Sequence, residues 1–161
     1  MNRKTKNLYI FLIISALVFF GYYRDFVFKK INALMQAWDH DMDYTMPPSM
    51  RFLENYEYAT LENIKWLLTV VFTLIYLSIS LFAIKVVFNN RAYRNITIGA
   101  FIGVTVASGI LILLGLIFHS ASYKMYEFAR YLMGMVQSPI ALMVLIPAFI
   151  IAEREKREGL N

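Results

Sequence analysis

His40 and His119 are the only imidazoles in the chain, and there is no cysteine to act as a nucleophile or to hold a soft metal. His40 sits in Asp39-His40-Asp41-Met42-Asp43, where carboxylates alternate. Hard cations take several carboxylate oxygens, which raises the question of a calcium site. The stretch lacks the turn glycine and the distal bidentate Glu of a helix–loop–helix site. An extended course would also splay His40 away from the three Asp. It reads as a solvated acidic turn. Hydrolysis within a membrane needs a nucleophile beside a base, or a pair of carboxylates, at depth. Ser108 and Ser138 are available, but no histidine or lysine accompanies them in the apolar runs, and His119 is expected at an interface. No phosphate loop, zinc signature or dinucleotide fingerprint occurs. We expect no catalytic residue, no metal ligand and no cofactor.

The elements that would position these groups are set by lipid. Of the 161 residues, 59% are hydrophobic and 17% charged, with a mean hydropathy of +0.53. A soluble domain carries about 45–50% apolar and about 25% charged residues. Four runs hold no Asp, Glu, Lys, Arg or His: 8–23, 66–83, 96–118 and 132–152. Crossing a hydrocarbon core takes about 17–25 such residues, and Lys6 and Arg24 can snorkel from the ends of the short first run. That run follows Arg3, Lys4 and Lys6 and has no small-residue cleavage site after it, so it reads as a retained anchor. The polar segments are too short for a second core. The expected architecture is all-α, a single integral membrane domain over residues 1–161 with four transmembrane helices.

Charge sets the expected orientation. Segments 1–7, 84–95 and 153–161 hold nine of the sixteen basic residues; 24–65 and 119–131 hold seven over about twice the length, with eight of the eleven acids. The positive-inside rule then predicts both termini in the cytoplasm. The net charge of +5 is largely a topology signal, and no nucleic-acid partner is expected. Tyr22, Tyr23, Trp66, Tyr123, Tyr126 and Tyr131 fall at the outer boundary, where amphipathic rings are favoured.

The outer loop, 24–65, carries Phe28, Ile31, Leu34, Met35 and Trp38 at helical spacing among Lys29, Lys30, Asn32 and Gln36. This pattern predicts a short amphipathic helix, or a continuation of the first span, packing on the protein's own helices or lipid, or docking a partner. Pro47-Pro48 ends any helix. Ser49 is a candidate cap for a short helix through Tyr58, and Thr60 for the second span.

In the third span Gly99, Gly103 and Ala107 repeat every four residues. Small residues at this spacing let backbones approach closely, within the bundle or against another membrane protein. The fourth span holds Pro139 and Pro147, each removing a backbone donor, and one amide, Gln137. With no ionisable residue at that depth, a kinked structural helix is favoured over the wall of a transport path.

The last third resembles a family. Tyr126-Glu127-Phe128-Ala129-Arg130-Tyr131, then Gln137-Ser138-Pro139, then Leu145-Ile146-Pro147-Ala148-Phe149 look like the ending of small exosortase-associated bacterial membrane proteins. Arg24-Asp25 with Phe28 is similar to the Arg-acid pair after that family's first span. Ser138 between Gln137 and Pro139, and a longer outer loop, depart from its pattern. The resemblance implies an accessory role beside a membrane enzyme that processes C-terminal sorting tags, with the chemistry belonging to that partner. It marks Arg24, Asp25, Arg130, Gln137, Pro139 and Pro147 as family-like positions. The expected function is that of a non-catalytic membrane accessory or assembly protein, with the lipid bilayer and another membrane protein, exosortase-like on the resemblance, as partners. The alternative is a small transporter or channel component, its path lined by the fourth helix.

Overall fold

A computed structural model describes residues 3–40, 42, 44–118 and 122–158, and every regular element among them is helical. Helix α1 runs Arg3–Asp39 and a 3-10 segment Pro48–Asn55; α2 runs Tyr58–Val87, α3 Arg91–Ile117, α4 Ser122–Val136 and α5 Ile140–Glu158. Helices α1, α2 and α3 are each long and apolar enough to cross a membrane, while α4 and α5 reach that standard only as a pair, bent by 62°. Among the described residues there are therefore three such helices, or four with the bent pair counted as one span.

The structure corrects two expectations. The Phe28–Trp38 stripe is not a separate short helix; α1 is continuous through it. No proline or glycine interrupts residues 24–39, and α1, at 37 residues, is about 55 Å long at ~1.5 Å per residue. Its second half must extend beyond a core roughly 30 Å thick. The last apolar run is likewise not one kinked helix, because the helix stops at Val136 and restarts at Ile140. Pro139 disfavours helical backbone at Ser138 and has no N–H to donate. Ser138 then serves both ends of the break: its Oγ donates to the Met135 carbonyl at 2.9 Å and accepts the Ile140 N–H at 3.3 Å. Pro147, by contrast, is carried inside α5.

The caps also differ from expectation. Helix α2 starts after Glu57 rather than at Thr60, and the Thr60 and Leu61 N–H groups both donate to the Glu57 carbonyl. Between α2 and α3 the two asparagines divide the work. Asn89 adopts a left-handed φ of 49°, which this residue tolerates better than most. The Asn90 side chain then caps α3, accepting from the Ala92 N–H at 2.9 Å.

Two apolar clusters hold the helices together. The larger gathers Ile13 and Leu17 of α1, Tyr76 and Ile84 of α2, Phe101 of α3, Val136 of α4, and Leu142 and Phe149 of α5. Phe149 stacks on Tyr93 at 4.5 Å between ring centroids and meets Phe88 edge-on. This brings α5 to the α2–α3 turn, where the Lys6 ammonium also approaches the Val87 carbonyl at 3.5 Å. The second cluster packs Val27, Ile31, Leu34 and Met35 of α1 against Met46, Met50, Leu53 and Leu61. A backbone N–H at Met46 donates to the Glu54 carboxylate and closes the connecting segment. The second half of α1 thus has its own core at the opposite end of the bundle from Lys6.

At one crossing a glycine lies in tight contact with a neighbouring helix. A Cβ on Gly21 would lie 3.2 Å from the Tyr76 hydroxyl, which is fully buried and donates to the Leu17 carbonyl at 3.5 Å. A side chain at residue 21 would make the Tyr76 hydroxyl give way by a few tenths of an ångström.

Candidate functional site

The helix break places Gln137 between three helices. Its Oε1 accepts from the Arg24 Nε at 3.0 Å, and its Nε2 donates to the Thr69 carbonyl and to the Thr73 Oγ1, both at 2.9 Å. Gln137 is 2% exposed, so these bonds replace all access of its amide to water. The threonines are prepared by α2 itself. Thr69 Oγ1 donates back to the Lys65 carbonyl and Thr73 Oγ1 to the Thr69 carbonyl. With its proton spent on its own helix, the Thr73 hydroxyl is left as an acceptor for Gln137. Among the described residues no buried side-chain nitrogen or oxygen lacks a partner.

Arg24 carries the network outward. Its Nη1 pairs with Asp25 at 2.9 Å, and its guanidinium lies over the Phe28 ring, 5.4 Å from the centroid. Arg24 and Gln137 line a cavity of about 260 Å³ together with Lys65, Glu62, Arg130 and Trp66. Asp25, Lys29 and Tyr126 lie on the same cavity. Four cations therefore face two carboxylates, leaving two positive charges in excess. Lys65 is half-buried just before the uncharged run begins at Trp66. Burial pushes its amine below the ordinary lysine value and the nearby Arg130 pushes it further, while Glu62 opposes both. Such a cavity is suited to holding an anion.

A second cavity, of about 360 Å³, is lined by Leu81, Phe82, Lys85, Arg91 and Arg94. The two share no lining residue. On α2 the first is lined by Glu62, Lys65, Trp66 and Thr69 and the second by Leu81, Phe82 and Lys85, with the buried Tyr76 between these stretches in sequence.

Arg24, Asp25, Arg130 and Gln137, far apart in sequence, meet at the first cavity. Pro139 lies two residues beyond Gln137 in the break, and Pro147 is exposed on α5. Phe28 also lines the cavity and packs on Phe72, with 6.0 Å between centroids. Ile31, Leu34 and Met35 are buried within the chain, whereas Trp38 is exposed. Gly99, Gly103 and Ala107 are exposed, and a Cβ on either glycine would meet nothing within 4 Å. Among the described residues nothing packs closely on that face.

The hydroxyl of Ser108 donates to the Val104 carbonyl and that of Ser138 to the Met135 carbonyl. His119 and the acidic positions Asp41 and Asp43 lie outside the described residues. Among the described residues no group of three His, Cys, Asp or Glu is placed to hold a metal ion. Thr69, Thr73, Lys65 and Glu62 were not singled out by sequence. The four-residue spacing of Thr69 and Thr73 in an apolar run is the signal that points to one polar stripe on α2. Comparison with family models, with curated proteins and with solved structures gives no match to this chain.

Proposed function

We propose that this chain is a non-catalytic integral membrane accessory or assembly protein. The observation that carries this reading is the closed bonding of Gln137. The one amide of the last apolar run is spent on Arg24, Thr69 and Thr73, joining α1 and α2 to the α4–α5 break. Such a group does structural work: both amide N–H donors are spent within the bundle and its oxygen already accepts from Arg24. In this reading the protein lies in a bacterial inner membrane with both termini in the cytoplasm. The partner implied by the resemblance is an exosortase-type enzyme, which would itself supply the nucleophile and base. The exposed Gly99, Gly103 and Ala107 face suits close contact with a helix of that partner.

One observation favours the alternative of a transport path: a cavity does lie beside Gln137 at the proline break. Along α2 the buried Tyr76 falls between the stretch that lines this cavity and the stretch that lines the second, which weighs against a route across the bundle.

The experiment is removal of this chain from a host that carries an exosortase, followed by assay of a substrate bearing the sorting tag. Accumulation of unprocessed substrate, with the exosortase still present in the membrane, is the expected result. Unchanged processing would contradict the accessory role.

A further inference from the structure

We propose that the cavity between α1, α2 and α4 is a phosphate-binding site, occupied by the headgroup of an anionic phospholipid or by free phosphate. Three of its cations mark the edges of three apolar runs. Arg24 directly follows the run 8–23, Lys65 directly precedes 66–83, and Arg130 stands two residues before 132–152. They come from three different helices, yet all three line one cavity. Charges that bound apolar runs lie at the level of lipid headgroups, and Trp66 and Tyr126 on the same cavity are the aromatic types enriched there.

The donors are in place. A guanidinium has five N–H groups; among the described residues Arg24 uses one on Gln137 and one on Asp25. Lys29, Lys65 and Arg130 form no ion pair among the described residues. Asp25 is already engaged by Arg24, so Glu62 alone faces the remaining cations on this cavity. Lys65 and Arg130 repel one another, and burial first, then that repulsion, lowers the basicity of Lys65. A phosphate between them would relieve it, with two unesterified oxygens in a lipid phosphodiester, or more in free phosphate, to share among cations from three directions. About 260 Å³ leaves no room for acyl chains, which would lie outside against exposed apolar side chains such as Leu113 and Phe128. A zwitterionic headgroup would bring its own cation into an already positive site.

The test uses the full chain purified in a neutral maltoside detergent, with phosphatidylglycerol, phosphatidylcholine, inorganic phosphate and chloride added separately. Bound lipid is read by native mass spectrometry, and stabilisation by the shift in Tm. Phosphatidylglycerol or phosphate should stabilise the wild type where phosphatidylcholine and chloride do not. Action by phosphatidylglycerol but not phosphate assigns the headgroup, and the reverse assigns the free ion. Lys65→Met and Arg130→Gln should each weaken binding roughly ten-fold or more, as expected for loss of one charge-assisted contact. Glu62→Gln, an exposed change that keeps every cation, should tighten it and serves as the readout if the other variants fail to fold. The site is overturned if neither anion acts beyond the controls, or if all three variants bind as the wild type does.

Discussion

Arg24 and Gln137 stand 113 positions apart in sequence, and their side chains meet in a hydrogen bond of 3.0 Å. Arg24 is the first charge after the opening apolar run, and Gln137 is the residue at which the last apolar run breaks. The bond ties the middle of α1 to the bend between α4 and α5, and Thr69 and Thr73 tie both to α2.

Replacing Gln137 by leucine keeps the volume but removes three bonds, one of them to a cation. We expect a loss of roughly 2–3 kcal/mol, given the modest worth of hydrogen bonds within membranes and the greater worth of charged ones. Thr73→Val should cost less, about 1 kcal/mol or below, because the Thr69 carbonyl still receives the same amide. Thermal or denaturant unfolding in detergent would check the order of the two variants.

At the α1–α2 crossing, Gly21→Ala would drive a Cβ against the Tyr76 hydroxyl, now 3.2 Å from that position. The hydroxyl ends a rigid, fully buried ring, so it cannot swing aside cheaply, and the variant should be less stable by about 1 kcal/mol or more. Removing the hydroxyl makes room. Gly21→Ala should therefore be tolerated better in a Tyr76→Phe background than alone, a non-additivity that a double-mutant cycle measures.

Gly99→Leu together with Gly103→Leu should leave the isolated chain as stable as before, because new side chains there meet open space. The same pair should weaken association with a membrane partner that packs against this face. Unchanged Tm combined with lost co-purification is the expected result. Unchanged co-purification would remove this face from the proposed interface.

Lys65 is held below its ordinary basicity by burial and by Arg130, so its charge destabilises the anion-free fold. A base with a lowered folded-state pKa binds fewer protons in the native than in the unfolded state, and stability then rises with pH between the two values. Glu62 on the same helix, Arg130 on α4, and Arg24, Asp25 and Lys29 on α1 are the charged groups that share its cavity. Lys65→Met should accordingly raise Tm near neutral pH without added anion. Its advantage should shrink as pH rises into the alkaline range, where the wild type sheds the same charge. A pH series of unfolding curves on both proteins reads this directly.

The helices were legible in the sequence because lipid enforces long uncharged runs. The break at Gln137-Ser138-Pro139 was legible only as a kink, since a proline's missing N–H does not say whether the helix bends or stops. What turns the kink into a break is Ser138 serving both helix ends and Gln137 reaching across to α2, contacts between elements that local pattern cannot show. The continuity of α1 was legible only as one of two alternatives, for a related reason. Where the apolar run gives way to Arg24-Asp25, hydropathy marks a membrane boundary, but nothing in residues 24–39 ends a helix. At the site, Arg24, Asp25, Arg130 and Gln137 were marked individually, while their meeting depends on packing. Lys65 and Glu62 read as ordinary polar loop residues until α2 is seen to begin at Tyr58 and to carry them onto the cavity.

The most direct measurement is a double-mutant cycle on Arg24→Met and Gln137→Leu, followed by unfolding in detergent. The account predicts strong coupling, with the double variant more stable than the summed single losses imply by about 1 kcal/mol or more. Additive losses would mean that the two side chains act independently, and would contradict a site organised around their bond.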